Sequence, residues 1–422
     1  MYPGYRSIFK GLSRLDFNPS SAGLPWGCGP RQLSRPTDVS GMKIICTLIA
    51  LCSIAGSVIA AEGKLRAAFI YVGPVNDFGW TRAHDDARRQ AQEKLGWLES
   101  SYVESVAEGD LQTCVDLAVQ AGNQVIFTTS ATYIDGTLEA AQRYPNIIFV
   151  NEGGFKSAAN VASYLPDAYQ CYYLFGLMAG ALTNSNQIGY VSTYPGPDVK
   201  RFINAMALGL HVVKPGAVMR VTWINSWYDP PAAKEAAESV IAQGADVLVT
   251  DMDSPTVVQV AGAHHLPVFG HNFPMYDVAP DYVASGDIMH LEVLFENVLT
   301  KIHEGAWTPS NLQAAHEWCR LSDGVIEFGA KPGMPINPRF KEKLEAMTIG
   351  NGSDGTVSVY DLVLKRHQEM AATAIPFEPF SGPVIDSKGI TRIPQGKRLT
   401  KEGIFDTNWR VPGILGPWPG EP

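Results

Sequence analysis

From about residue 66 onward, short apolar runs alternate with longer stretches of helical periodicity, a pattern that calls for parallel sheets joined by crossover helices. Ala67 to Val72 (AAFIYV) is the first run, apolar enough for a strand covered on both faces, and Gly73-Pro74 ends it. From Thr81, Ala83, Ala87, Ala91 and Leu95 recur every four positions, a stripe whose alanines let a helix sit close to a sheet. Val125 to Ser130, a helix over Ile134 to Tyr144, Ile147 to Val150 and Val161 to Tyr164 complete one doubly wound domain. The fifteen residues Tyr169 to Thr183 are apolar but interrupted by Gly176 and Gly180, and suit a buried helix better than a membrane span.

A second alternating series follows: strands at Ile188 to Tyr194, Val218 to Asn225, Val247 to Asp251, Val268 to Asn272 and Tyr282 to Asp287, with helices at Val199 to Val213 and Pro231 to Gln243. The fold class expected is α/β, two doubly wound Rossmann-like domains joined by a hinge. The helix Leu291 to Glu304 and the segment Gln313 to Phe328 have no sheet of their own and are expected to return to the first domain. The division is then 64–165 plus 287–365 for domain I and 186–285 for domain II, with crossings near Tyr164 to Asp167 and Ser285 to Asp287. Residues 376–422 carry eight prolines and read as a C-terminal extension. Its Ile385, Ile390, Ile393, Phe405 and Trp409 suit packing over a domain, a disordered tail being the alternative.

Ahead of the first strand, Met42-Lys43 precedes eighteen mainly apolar residues, Ile44 to Ala61, that end in small side chains. This reads as an export signal at 42–61, with a single membrane anchor as the alternative. Residues 1–41 then read as a mis-annotated extension upstream of a true start at Met42. Cleavage leaves Cys114, Cys171 and Cys319, an odd number more suited to core packing than to a disulfide framework. A net charge of −9 without a long basic run, and the absence of zinc-ligand spacing, argue against a nucleic-acid partner.

The candidate site lies where strands end. Asn76, Asp77 and Trp80 fall between the first strand and its helix, and Ser226-Trp227-Tyr228-Asp229 repeats that chemistry in the second series. Ligands of open parallel sheets bind beyond the strands' carboxyl ends, so Trp80 and Trp227 could form a slot for a flat ligand. Ser130, Tyr133, Glu152, Asp251, Asp253, Asn272 and Asp287 supply polar groups at other strand ends. Asp77 could equally cap the helix that follows it. No nucleophile motif, phosphate loop or metal-ligand pattern stands out; a hydrolase with a carboxylate-rich cleft is the enzymatic alternative.

The stretches YVGPVNDFGWTRAHDDAR, YVESVAEGD, VIFTTS, QIGYVSTYP, WINSWYDP, DSPTVVQVA and FSGPVIDSKGITRIPQGKRL resemble the basic membrane protein family over about residues 64 to 416. The resemblance implies a type I periplasmic binding protein: a substrate-binding protein of an ABC importer, working in the periplasm with an inner-membrane permease, needing no cofactor or metal, and similar to purine nucleoside receptors. A sensor for another small planar ligand is the alternative. The family's Asn-Asp pair and stacking aromatic fall on Asn76, Asp77 and Trp80, and its second aromatic on Trp227. A ribose-binding Asp falls on Asn272 and a Lys near the second crossing on Asp287, so a free purine base is as open as a nucleoside. The expected ligand residues are Asn76, Asp77, Trp80, Ser130, Tyr133, Trp227, Asp253, Asn272 and Asp287. Asp287 reads either as a ligand contact made on cleft closure or as the cap of a helix starting near Ile288.

Overall fold

The computed structural model describes residues 63–153, 156–350 and 355–421; the readings of 1–41 and 42–61 lie outside the described residues. In the first lobe the apolar runs become β1 (Leu65–Ile70), β3 (Val125–Thr128), β4 (Ile148–Glu152) and β5 (Val161–Pro166), with β2 (Leu98–Val103) added at one edge. β3 and β4 are buried at every residue, as their apolar character demands, whereas β2 (LESSYV) is mostly exposed. Between the strands run α1 (Trp80–Lys94), α2 (Leu111–Gln120) and α3 (Ile134–Arg143). Ala83, Ala87 and Ala91 of α1 pack into the same core as Ala67 and Phe69 of β1.

The second lobe begins with α4 (Tyr169–Leu182), buried at every residue. It is a core helix, and among the described residues no helix is long and apolar enough to cross a membrane. β6 (Gln187–Ser192), α5 (Pro197–Val213), β7 (Val218–Trp223), α6 (Pro230–Ala242), β8 (Val247–Thr250), α7 (Thr256–Ala263), β9 (Val268–Gly270) and β10 (Val283–Met289) follow. Helices α4 and α5 approach so closely that a Cβ at Gly176 would lie 2.0 Å from the Met206 carbonyl oxygen.

The chain then returns to the first lobe through α8 (Leu291–His303), which packs beside α1, and β11 (His316–Cys319), which extends the first sheet next to β5. β12 (Ile326–Phe328) crosses back and pairs antiparallel with β10, Asp287 opposite Phe328. The first sheet thus has the order β11-β5-β4-β3-β1-β2, and the second β12-β10-β9-β8-β6-β7 with Ile414–Leu415 beyond β7. In each sheet the order reverses beside the first strand of its series, β1 and β6, and there the carboxyl ends open a crevice.

Three chain crossings result, one more than the alternation of patterns suggested. The assignment of 287–365 to the first domain is corrected: it holds only through β11. β12 joins the second sheet, and α9 (Lys341–Ala346) and α10 (Val359–Ala371) pack on α4. The three-residue run IEF is too short for periodicity to register. The extension is ordered through 421 and belongs to the second lobe, where Ile393, Phe405, Trp409, Ile414 and Trp418 enter the α4–α5 core. Ile385 and Ile390, expected to pack as well, are exposed. Cys114, Cys171 and Cys319 are free thiols.

Candidate ligand-binding cleft

The carboxyl ends of the two sheets face each other across a cavity whose empty space, with the open solvent at its mouth included, is about 730 Å³. Trp80, Ser130 and Glu152 line it from the first lobe; Asp198, Trp227, Asp251, Asp253, His271 and Asn272 line it from the second.

Trp80 opens α1, and its indole Nε1–H donates to the Thr129 carbonyl at 2.8 Å, which fixes the ring at the cavity wall. Its backbone N–H donates across the lobes to Asp253 Oδ1 at 2.9 Å. Trp227 lines the opposite side, its ring edge-on to Tyr194 with centroids 5.2 Å apart. Ser130 reaches the cavity while its Oγ accepts from the Thr132 N–H at 3.3 Å. Asn272, in left-handed backbone at φ 60°, donates its amide to Asp253 Oδ1 at 3.1 Å. The Asn272 Oδ1 is buried without a hydrogen-bond partner among the described residues.

Four expected site residues are not in the cavity wall. Asp77 accepts N–H bonds from Gly79, Thr81 and Arg82 at 2.8, 2.9 and 3.0 Å, so its carboxylate closes the N-terminus of α1. Asn76 is exposed in the turn before it. Tyr133 points into the first lobe's core, where its hydroxyl donates to the Val106 carbonyl. Asp287 neither caps a helix nor faces the cavity: it lies within β10, fully buried, with one oxygen 3.1 Å from His271 Nδ1 and the other accepting from the Asn272 N–H at 3.1 Å.

Sequence reasoning passed over Asp198 and His271 as ligand residues. Asp198 sits in the first turn of α5, the corner that Asp77 occupies in α1, and the same strand-to-helix logic would have found it. His271 is the residue after β9, immediately before Asn272. Asp251, considered only as one of many polar strand ends, accepts from the Ser192 hydroxyl at 3.0 Å and the Thr193 N–H at 2.9 Å.

Burial dominates the electrostatics. It pushes the Glu152 carboxyl up to about 8, with the Asp198 charge adding to the effect. Burial takes Asp251 to about 7 against the pull of His271 and its hydrogen bonds, and takes Asp253 to about 7 with help from Asp77. For His271 burial acts to lower the pKa, but the carboxylates of Asp287, Asp251 and Asp253 together raise it. No lysine or arginine lines the cavity among the described residues. Such a site disfavours anions and suits a neutral ligand that brings N–H or O–H donors.

Two doubly wound lobes connected by three crossings, with a crevice at their facing strand ends, define the type I periplasmic binding protein architecture. Residues 64–348 match the family model described as ABC transporter substrate-binding protein PnrA-like, and the chain belongs to this Bmp family. It is an ABC-importer substrate-binding protein, and its place is the periplasm. A purine-binding protein of Brucella abortus is 30% identical over 361 residues, 85% of this chain and 95% of the relative. A putative ABC transporter glucose-binding protein of Haloferax volcanii is 37% identical over 266 residues, 63% of this chain and 67% of the relative. Among solved structures, an ABC transporter solute-binding protein from Aeropyrum pernix has a TM-score of 0.59 at 17% identity, covering 73% of this chain and 91% of its own. One from Conexibacter woesei has a TM-score of 0.57 at 17% identity, over 75% of this chain and 99% of its own. At that identity both speak for the fold alone.

Proposed function

We propose that the protein captures a purine base or nucleoside between its lobes and hands it unchanged to the permease of an ABC importer. The observation that carries this reading is that Trp80 and Trp227, on different lobes, line one cavity. An aromatic ring against a base contributes roughly 1–3 kcal/mol, and two rings with a closed mouth keep the remaining polar contacts dry. The carboxyl and amide groups of Glu152, Asp198, Asp253 and Asn272 supply acceptors for ring and exocyclic N–H groups. The Brucella relative supports the choice of a purine. The family's ribose contacts fall on Asn272 and Asp287 here, and only Asn272 lines the cavity, which favours the free base.

A second reading, a sugar, draws on the Haloferax relative and on the ability of tryptophan faces and carboxylates to hold a pyranose. Calorimetry of the purified chain against purine bases, nucleosides, glucose and amino acids separates the two. The expected outcome is a purine or nucleoside at submicromolar Kd, about −8 kcal/mol or better, and its recovery unaltered after incubation. Binding confined to sugars or amino acids overturns the purine reading.

A further inference from the structure

Asp287 is a fully buried carboxylate within β10, and its environment shows what it does. Both oxygens are engaged: one with His271 Nδ1 at 3.1 Å, the other with the Asn272 backbone N–H at 3.1 Å. A single buried side chain thereby fixes two consecutive residues, His271 and Asn272, that line the cavity.

The hydrogen bonds also place the first ring proton. His271 Nδ1 lies 3.0 Å from the Tyr172 hydroxyl, which gives its own proton to the Thr250 carbonyl at 3.0 Å. Toward the imidazole that hydroxyl can therefore only accept, as the Asp287 carboxylate must. Nδ1 faces two acceptors and carries a proton. Nε2 takes part in neither bond and is the ring nitrogen left for the cavity. Nε2 of a singly protonated ring would hold a lone pair, but Asp287 is fully buried with His271 as its ion-pair partner at 3.1 Å, so the buried carboxylate favours the doubly protonated ring, with Asp251 and Asp253 adding to its pull.

We propose that His271 is the hydrogen-bond donor with which the second lobe reads the ligand, through Nε2–H, and that Asp287 is the residue that positions it. This rests on the purine reading and narrows it. The ligand presents a ring nitrogen or carbonyl acceptor to His271, and its N–H donors to the acceptors elsewhere in the wall. The buried, unpartnered Asn272 Oδ1 beside His271 is one such acceptor.

The test pairs ligand and residue. Calorimetry compares the tightest-binding purine with analogues in which one ring nitrogen or carbonyl is replaced by C–H, on the wild-type chain and on His271→Leu and His271→Gln. In the wild type one analogue is expected to bind about tenfold or more weakly, the usual loss of a charge-assisted bond. In His271→Leu the parent should fall by a similar factor and its advantage over that analogue vanish; Gln, which can donate from near the Nε2 position, should restore part of both. For Asp287→Asn, the ¹H–¹⁵N imidazole signals of His271 should lose the Nδ1–H signature as affinity falls. A parent-to-analogue gap that persists in His271→Leu overturns the donor role. Imidazole signals unchanged in Asp287→Asn overturn the positioning role. A wild-type chain that binds no purine overturns the function proposed above and this inference with it, whereas purine binding indifferent to His271 overturns this inference alone.

Discussion

Glu152 ends β4 at the cavity wall, 7% exposed, with the Ala131 backbone N–H as a hydrogen-bond donor to its carboxyl. Its pKa is raised from 4.5 to about 8, first by burial and then by Asp198, so the folded state holds a proton that the unfolded state releases. The sign follows: this group's stabilising contribution is fully present below pH 4.5 and is lost as pH rises toward 8. Asp251 and Asp253, raised to about 7, act in the same direction. Glu152→Gln keeps an oxygen for the Ala131 N–H and never ionises. We expect it to gain about 1–3 kcal/mol at pH 8 over the wild type, and to flatten the fall in stability between pH 5 and 8. Urea melts of the ligand-free chain at several pH values check this; identical slopes would remove Glu152 from the account. At this scale the sequence was informative about location and poor about direction. Trp80, Ser130, Trp227, Asp253 and Asn272 follow strand ends and do line the cavity. Asp77 and Tyr133 meet the same criterion, and Asp287 closes the expected strand Tyr282 to Asp287, yet a cap, a core hydroxyl bond and a buried histidine claim them. The cap is local and was open in the sequence, whereas the Val106 carbonyl and His271 lie in the tertiary structure, where periodicity has no reach.

The elements recovered from periodicity are those buried in the middle of sheets or striped on one face. Among the strands, those missed or misassigned lie at sheet edges. β2 (LESSYV) and β11 (HEWC) are polar because one of their flanks meets water, and β12 is three residues long. The missed third crossing follows from those edges, since β11 and β12 belong to different sheets. The pair α4–α5 shows what an apolar run with glycines means. A Cβ on Gly209 would lie 2.1 Å from the Tyr173 carbonyl oxygen, and one on Gly176 equally near that of Met206 across the same contact. Both obstacles are backbone and have no rotamer through which to yield. Gly209→Ala gains up to about 1 kcal/mol of helix propensity. It must also force two fully packed helices apart, which costs about 1–3 kcal/mol or more. The steric effect wins. We expect a net loss of stability in denaturant melts, larger than for Gly216→Ala, where a Cβ meets nothing within 4 Å. A Gly209→Ala chain as stable as the wild type would mean that the helices can separate freely.

For the molecule as a whole, ligand capture depends on whether the lobes can meet, and the structure shows them in contact. The Trp80 N–H to Asp253 bond crosses the cleft, Phe78 packs edge-on against Phe273 at 5.7 Å, and the Arg82 guanidinium stands 5.7 Å over the Phe273 ring. Phe78 holds a left-handed φ of 62°, a conformation that costs a bulky residue roughly 1–3 kcal/mol and that its contact with the opposite lobe helps to offset. Gly79 lies between these contacts. A Cβ there would come within 2.6 Å of Asp253 Cα, a backbone atom of the other lobe, so a methyl group at this position blocks closure. On the function proposed above, an open form would leave the ligand facing one tryptophan and water. If closure drops from the dominant state to about one molecule in a hundred, apparent affinity falls about hundredfold with no ligand contact removed. Gly79→Ala is therefore expected to bind far more weakly, and to show in solution scattering a radius of gyration that no longer contracts when ligand is added. Titration with the best wild-type ligand, followed by scattering with and without it, makes the comparison. Wild-type affinity together with a normal contraction would show that Gly79 and Asp253 can slide past each other, and that closure is governed elsewhere along the three crossings.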